Sequence, residues 1–122
     1  MRIFKNAWFQ RFARRENISD AALAETIARA AKGSVDTALG GNVIKQRIAR
    51  PRQGKSGGYR ALIVFRRGDR AFFVYGFAKK DRDNIRRDEL KVFKQAAKEL
   101  LALSDEQIEK LITVGGLTEV EL

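Results

Sequence analysis

Residues 45 to 85 read KQRIARPRQGKSGGYRALIVFRRGDRAFFVYGFAKKDRDNI, and their alternation decides the fold. From Val43 to Arg50 the side chains of Ile44, Gln46 and Ile48 share one face while Lys45 and Arg47 take the other, because successive strand residues point to opposite sides. Tyr59 to Arg66 and Arg70 to Ala78 are rich in β-formers, and Arg67-Gly68-Asp69 between them has the length and glycine of a hairpin turn. Three strands are predicted here, the last two paired antiparallel.

On the amino-terminal side the period changes to that of helices. Trp8, Phe9 and Phe12 recur at helical spacing, with Arg11, Arg14 and Arg15 among them, after a short edge strand at Arg2 to Phe4. Ser19 is a good N-cap for Asp20 to Ala31, and Gly33 ends that helix in a left-handed conformation. Gly33 to Asn42 holds three glycines and no periodicity, so it reads as a loop. Beyond the strands, Leu90, Phe93, Ala97 and Leu100 mark an amphipathic helix from about Arg87 to Leu103. Ser104 to Gln107 has the capping-box pattern for a last helix that stops at Gly115-Gly116. Residues 115–122 read as a flexible tail or a short strand. The order predicts an α+β fold, a small antiparallel sheet with amino-terminal and carboxyl-terminal helices packed on it and segregated to one side.

The 122 residues suit one domain, 1–122, with 44% hydrophobic residues for its core. The chain has no cysteine, hence no disulfide framework, and no apolar run approaches the roughly 20 residues that span a bilayer. A cytoplasmic protein without membrane contact is expected. Charge is more specific: 25 Lys+Arg against 15 Asp+Glu give +10 and a pI near 10.4. Residues 44 to 80 carry 11 basic and 1 acidic side chain, whereas residues 81 to 122 carry 7 and 10. A polyanionic partner meeting the middle segment is implied.

Ile44 to Arg60 has six cations and no anion in 17 residues. Lys45 and Arg47 lie on the outward strand face, Arg50, Arg52 and Lys55 on a loop with Pro51, Gly54, Gly57 and Gly58, and Arg60 begins the next strand. Without histidine there is no His-based triad or His-metal site, and the basic segment's one carboxylate, Asp69, sits in a predicted turn. No metal or other cofactor is expected. A lysine among other cations is driven towards its free amine, and an arginine fork suits bidentate phosphate contact. Each residue also has a plainer reading: Lys45 and Arg47 as a solvated strand face, Arg60 as a salt-bridge partner of the acidic carboxyl-terminal helices, and Phe73, Tyr75 and Phe77, which parity places on one face with Lys79, as core.

The 45–85 stretch resembles the RelE/HigB-like toxins of bacterial toxin–antitoxin pairs, part of the RelE/ParE superfamily. The resemblance rests on the basic strand, on Lys55-Ser56-Gly57-Gly58-Tyr59-Arg60, and on the aromatic strand Tyr75-Gly76-Phe77-Ala78 closing on Lys79. It covers about a third of the chain and implies a RelE-like microbial ribonuclease-type toxin fold. The implied activity is ribosome-dependent endonucleolytic cleavage of messenger RNA, restrained by a cognate antitoxin, here of helix-turn-helix type. Matching family positions gives Lys55 as base or phosphate ligand, Arg60 as charge stabiliser and Lys79 as a second cation. Lys45, Arg47, Arg50, Arg52, Tyr75, Phe77 and Lys80 become RNA contacts. Where this sequence has Phe77, many relatives carry tyrosine and some histidine, so the family's proton donor is not matched. The alternative from the same scaffold is a non-cleaving ParE-like inhibitor or a ribosome- or nucleic-acid-binding module. A double-stranded DNA binder fits poorly, for want of a helix-turn-helix partner beside the 87–103 helix.

Overall fold

The computed structural model describes the backbone of residues 1–50 and 54–122 and the side chains of 1–48 and 58–122. In these residues four helices and six strands follow the order β1 (Arg2–Asn6), α1 (Ala7–Arg15), α2 (Asp20–Ala31), β2 (Thr37–Gly40), β3 (Val43–Arg50), β4 (Gly54–Arg66), β5 (Arg70–Ala78), α3 (Arg87–Leu101), α4 (Asp105–Thr113) and β6 (Leu117–Glu119). The strands form one sheet in the order β2-β3-β4-β5-β1-β6. All pairings are antiparallel except β1 with β5, which is parallel. The architecture is the expected α+β fold.

Local signals set most of these elements. Ser19 Oγ accepts from the Ala22 N–H at 3.1 Å, and Gly33 has φ +98° just past α2. Ser104 and Gln107 cap α4 reciprocally, at 3.1 and 2.8 Å. The β4–β5 hairpin turns through Gly68 at φ +77°.

Four expectations are corrected by the structure. β1 is not an edge strand: it lies between β5 and β6, because the carboxyl-terminal stretch returns to pair with it. The Gly33–Asn42 stretch contains β2, joined to β3 through Gly41 and Asn42 at φ +59° and +63°, the geometry of a tight two-residue hairpin. The glycine-rich stretch from Gly54 is strand rather than loop, since the β3–β4 ladder resumes past a register shift to pair Arg50 with Gly54. The helices are not on one side of the sheet. α1 and α2 pack with Ile44, Ile48, Ala61, Ile63 and Phe73 on one face, while α3 and α4 cover Phe4, Val43, Leu62, Val64 and Phe72 on the other. Both faces carry apolar side chains along β4 and β5, so both need a cover.

A bulge in β5 overturns the parity of its aromatics. Ile63 pairs with Phe73 but Leu62 with Tyr75, leaving Val74 as the extra residue. Phe73 therefore meets Phe9 on the α1 face, ring centroids 4.9 Å apart, while Tyr75 meets Phe93 on the α3 face at 5.5 Å. Opposite Ala61, Gly76 lies directly beneath α1: a Cβ there would stand 2.7 Å from Phe12 Cε2 and 3.0 Å from Phe9 Cε2. Both rings are buried, so Gly76→Ala is expected to cost about 1–3 kcal/mol by overpacking, read as a lower denaturation midpoint at unchanged slope.

Candidate RNA-binding cleft

Helices α3 and α4 cover only part of their sheet face. In the ladder, Lys45 stands opposite Leu62, Arg47 opposite Arg60, and Arg60 opposite Phe77, so three strands carry these side chains onto the α3 face. Asp36, Thr37, Lys45, Arg47 and Arg60 line a cleft of about 260 Å³ there. Three cations thus stand around one carboxylate, a local excess that favours an anion.

The carboxylate belongs to the network that holds Arg47. Asp36 Oδ2 accepts the Arg47 backbone N–H at 2.7 Å, and its Oδ1 accepts from the guanidinium at 3.3 Å. Burial pushes the Asp36 carboxyl up, but the Arg47 N–H and guanidinium together with Arg29 outweigh it and hold the group below the ordinary carboxylate range. Gln46, fully buried on the opposite side of β3, accepts from the Asp36 N–H at 2.5 Å and donates to the Ser34 carbonyl at 3.2 Å. Arg29 of α2 donates to the Arg47 carbonyl. The segment before β2 is thereby pinned to β3 from both sides. Arg47 Nε has no hydrogen-bond partner among the described residues, so the fork keeps donor capacity.

Lys45 and Arg60 have shifted ionisations. Burial lowers the Lys45 pKa, and the charges of Arg60 and Lys79 lower it further. Lys45 Nζ donates to Asn84 Oδ1 at 3.0 Å, in the turn after β5. Burial and the neighbouring Arg47 likewise lower Arg60, with Asp36 acting against them. Arg60 Nη1 donates to the Tyr59 carbonyl at 3.3 Å. Among the described residues no carboxylate of α3 or α4 bonds Arg60, so its plainer reading as a partner of the acidic helices does not hold.

The other residues named from the sequence are distributed unevenly. Lys79 and Lys80 are exposed just past β5, the Lys79 N–H bonding the Gly58 carbonyl at 3.2 Å. Phe77 faces the cleft side but is only 5% exposed. Tyr75 is half-buried beside Trp8 at 4.5 Å, and its hydroxyl accepts from Arg82 at 2.9 Å. Arg52 lies outside the described residues, as do the side chains of Arg50 and Lys55, whose backbone belongs to β3 and β4.

Sequence reasoning missed Asp36, Asn84, Arg82 and Trp8 as neighbours of the site. For Asp36 a signal existed in Gly40-Gly41-Asn42, a hairpin turn that sets β2 against β3. Asn84 and Arg82 carry no comparable mark. Among the described residues no three His, Cys, Asp or Glu side chains gather as a metal site, and no helix is long and apolar enough to cross a membrane.

No curated protein matches the chain significantly. A family model described as the RelE toxin of the RelE/RelB toxin–antitoxin system matches residues 1–120. That span includes all six strands and four helices, well beyond the third of the chain that carries the sequence resemblance. The chain belongs to the RelE toxin family, as the toxin of a toxin–antitoxin pair and the counterpart of a cognate antitoxin.

Proposed function

We propose that the protein, as one domain over 1–122, is a metal-independent, ribosome-dependent messenger RNA endoribonuclease of the cytoplasm, neutralised by an antitoxin of helix-turn-helix type. The observation that carries this reading is the cleft in which Lys45 stands walled by Arg47 and Arg60, where burial and like charges drive its amine towards the neutral form. As a free amine, Lys45 takes the 2′-hydroxyl proton. The 2′-oxygen then bonds phosphorus, the bond to the 5′-oxygen breaks, and a 2′,3′-cyclic phosphate and a 5′-hydroxyl result. Arg60 and Arg47 hold the phosphate oxygens as charge grows on them, and an ammonium such as Lys79 returns a proton to the leaving oxygen. Lys55 remains the family-matched second base or phosphate ligand, with Arg50, Arg52 and Lys80 contacting the backbone. The base assignment moves to Lys45 because burial and like charges act on it together, both favouring the free amine over the ammonium.

Such a site grips phosphate but does little to align it. Cleavage needs the 2′-oxygen, phosphorus and 5′-oxygen nearly in line, and a cleft without histidine has modest acid–base power to offset poor alignment. The ribosome supplies the alignment by presenting a bent message. Free RNA should bind weakly with an affinity that falls as salt rises, and be cut at least a hundredfold more slowly than ribosome-bound message. On ribosomes the single-turnover rate should climb with pH, since protonated Lys45 is inactive, along a limb centred below the ordinary lysine range. Lys45→Arg, which cannot lose its proton, should abolish that limb. Equal cleavage of both substrates would refute ribosome dependence, and growth arrest without any message cleavage would point to the ParE-like inhibitor instead.

A further inference from the structure

Next to the cationic cleft, at the end of β5 and under α1, lies a second cleft that phosphate chemistry does not explain. It has a volume of about 250 Å³ and is lined by Trp8, Phe12, Tyr75, Phe77, Asp81 and Arg82, among others. Its floor is aromatic: Trp8 stacks on Phe12 at 5.3 Å, Trp8 meets Tyr75 at 4.5 Å, and Tyr75 meets Phe77 at 6.2 Å.

Two guanidinium groups flank this floor, each already lying over a ring. Arg15 is 5.6 Å from the Phe12 centroid, and Arg82 is 5.7 and 5.8 Å from those of Tyr75 and Phe77. Arg82 is held there by the Tyr75 hydroxyl, by Glu89 and by the Asn84 carbonyl. An arginine so braced presents a fixed planar face. β1 pairs with β5 only as far as Phe73, so the backbone at residues 75–78 has no strand on that side. Asp81 brings an exposed carboxylate to the rim, an acceptor for amino and imino hydrogens.

Aromatic faces, guanidinium planes and an edge acceptor are what single-stranded RNA bases use, and stacking on them does not depend on the phosphate charge. The placement fits as well. Phe77 is the cross-strand partner of Arg60, so the two clefts abut within about one strand spacing of 4.8 Å. We infer that this cleft is a nucleobase subsite: it takes the base of a nucleotide flanking the gripped phosphate, stacked on Trp8 and Tyr75 and covered by Arg82. The inference rests on the RNA-cleaving reading above and adds to it the pocket that holds a base. Asp81 would make the subsite prefer bases with an amino or imino donor edge over those offering only acceptors there.

The chain's single tryptophan stands in the cleft, which gives a readout independent of cleavage. The probe is a short, end-labelled 2′-O-methyl RNA, uncleavable because its 2′-oxygen is blocked, set against an abasic strand with the same number of phosphates. The base-bearing strand should quench Trp8 emission and bind about tenfold more tightly than the abasic strand, at equal salt dependence. Arg82→Ala and Trp8→Leu, followed by anisotropy of the labelled strand, should bring the two affinities together. Equal affinities with unchanged Trp8 emission would overturn the subsite and leave the cationic cleft's role standing. Failure of both strands to bind at low salt would overturn the RNA reading itself. If either variant misfolds by circular dichroism, the wild-type quenching and affinity ratio still decide.

Discussion

Arg60→Ala should lower cleavage of ribosome-bound message by about 10²–10³-fold, the loss typical of removing one charge stabiliser from a preorganised site. Arg60 rises from the middle of the sheet opposite both Arg47 of the basic strand and Phe77 of the aromatic strand. Its packing role is small, since its side chain is half-buried and, among the described residues, bonds only the neighbouring Tyr59 carbonyl. Burial and Arg47 both disfavour its charge, so the alanine variant relieves repulsion and its melting temperature should not fall. Arg60→Lys restores a charge but not the planar fork and should recover only a minor part of the rate. Circular dichroism together with single-turnover cleavage on ribosomes checks the pair. A folded Arg60→Ala protein that cuts at the wild-type rate would remove Arg60 from the chemistry.

Asp20→Ala should cost about 3 kcal/mol of stability, because it strands a buried ammonium. Lys5 lies in β1, inside the sheet, and is 6% exposed. Its Nζ donates to Asp20 Oδ1 at 2.9 Å, and Asp20 Oδ2 accepts from the Glu121 N–H at 2.8 Å. One carboxylate at the start of α2 thus ties together β1, α2 and the carboxyl-terminal end. For a chain of this size the loss corresponds to a melting temperature lower by roughly 10 °C. Lys5→Met on the Asp20→Ala background should restore part of it, since an apolar side chain leaves no unpaired charge. The pH dependence has a definite sign. Burial pushes the Asp20 carboxyl up, but the Glu121 N–H and Lys5 outweigh it, so the folded pKa lies below the unfolded one. The carboxylate's contribution is therefore complete above the unfolded value, near 3.9, and is lost as pH falls through the folded value. Thermal melts should show wild type and Asp20→Ala converging in acid. A gap unchanged at low pH would show that the ion pair is not its source.

Most of what depends on contacts between near neighbours was legible in the amino-acid sequence. Ser19 and Gly33 bound α2, Ser104 and Gln107 start α4, and Gly68 turns β4 into β5, because caps and turns are completed within a few residues. The alternation of Lys45 and Arg47 against Ile44 and Ile48 likewise put the cations on the face away from α1 and α2, since the strand period is two. Which strands distant in sequence became neighbours, and which faces were covered, was settled only by the tertiary structure. β1 entered the sheet through pairing with residues about 68 and 115 positions away, and no local pattern encodes such partners. The bulge at Val74 sent Phe73 to one core and Tyr75 towards the other, reversing a parity that holds only while a strand keeps its register. The candidate site followed the same division. Its cations were legible as a charge run, but Asp36 reached them through the β2–β3 hairpin and Asn84 through the turn after β5. That Lys45 is pushed towards its free amine depends on burial and on the charges of Arg60 in β4 and Lys79 just past β5, quantities that exist only once the chain has folded.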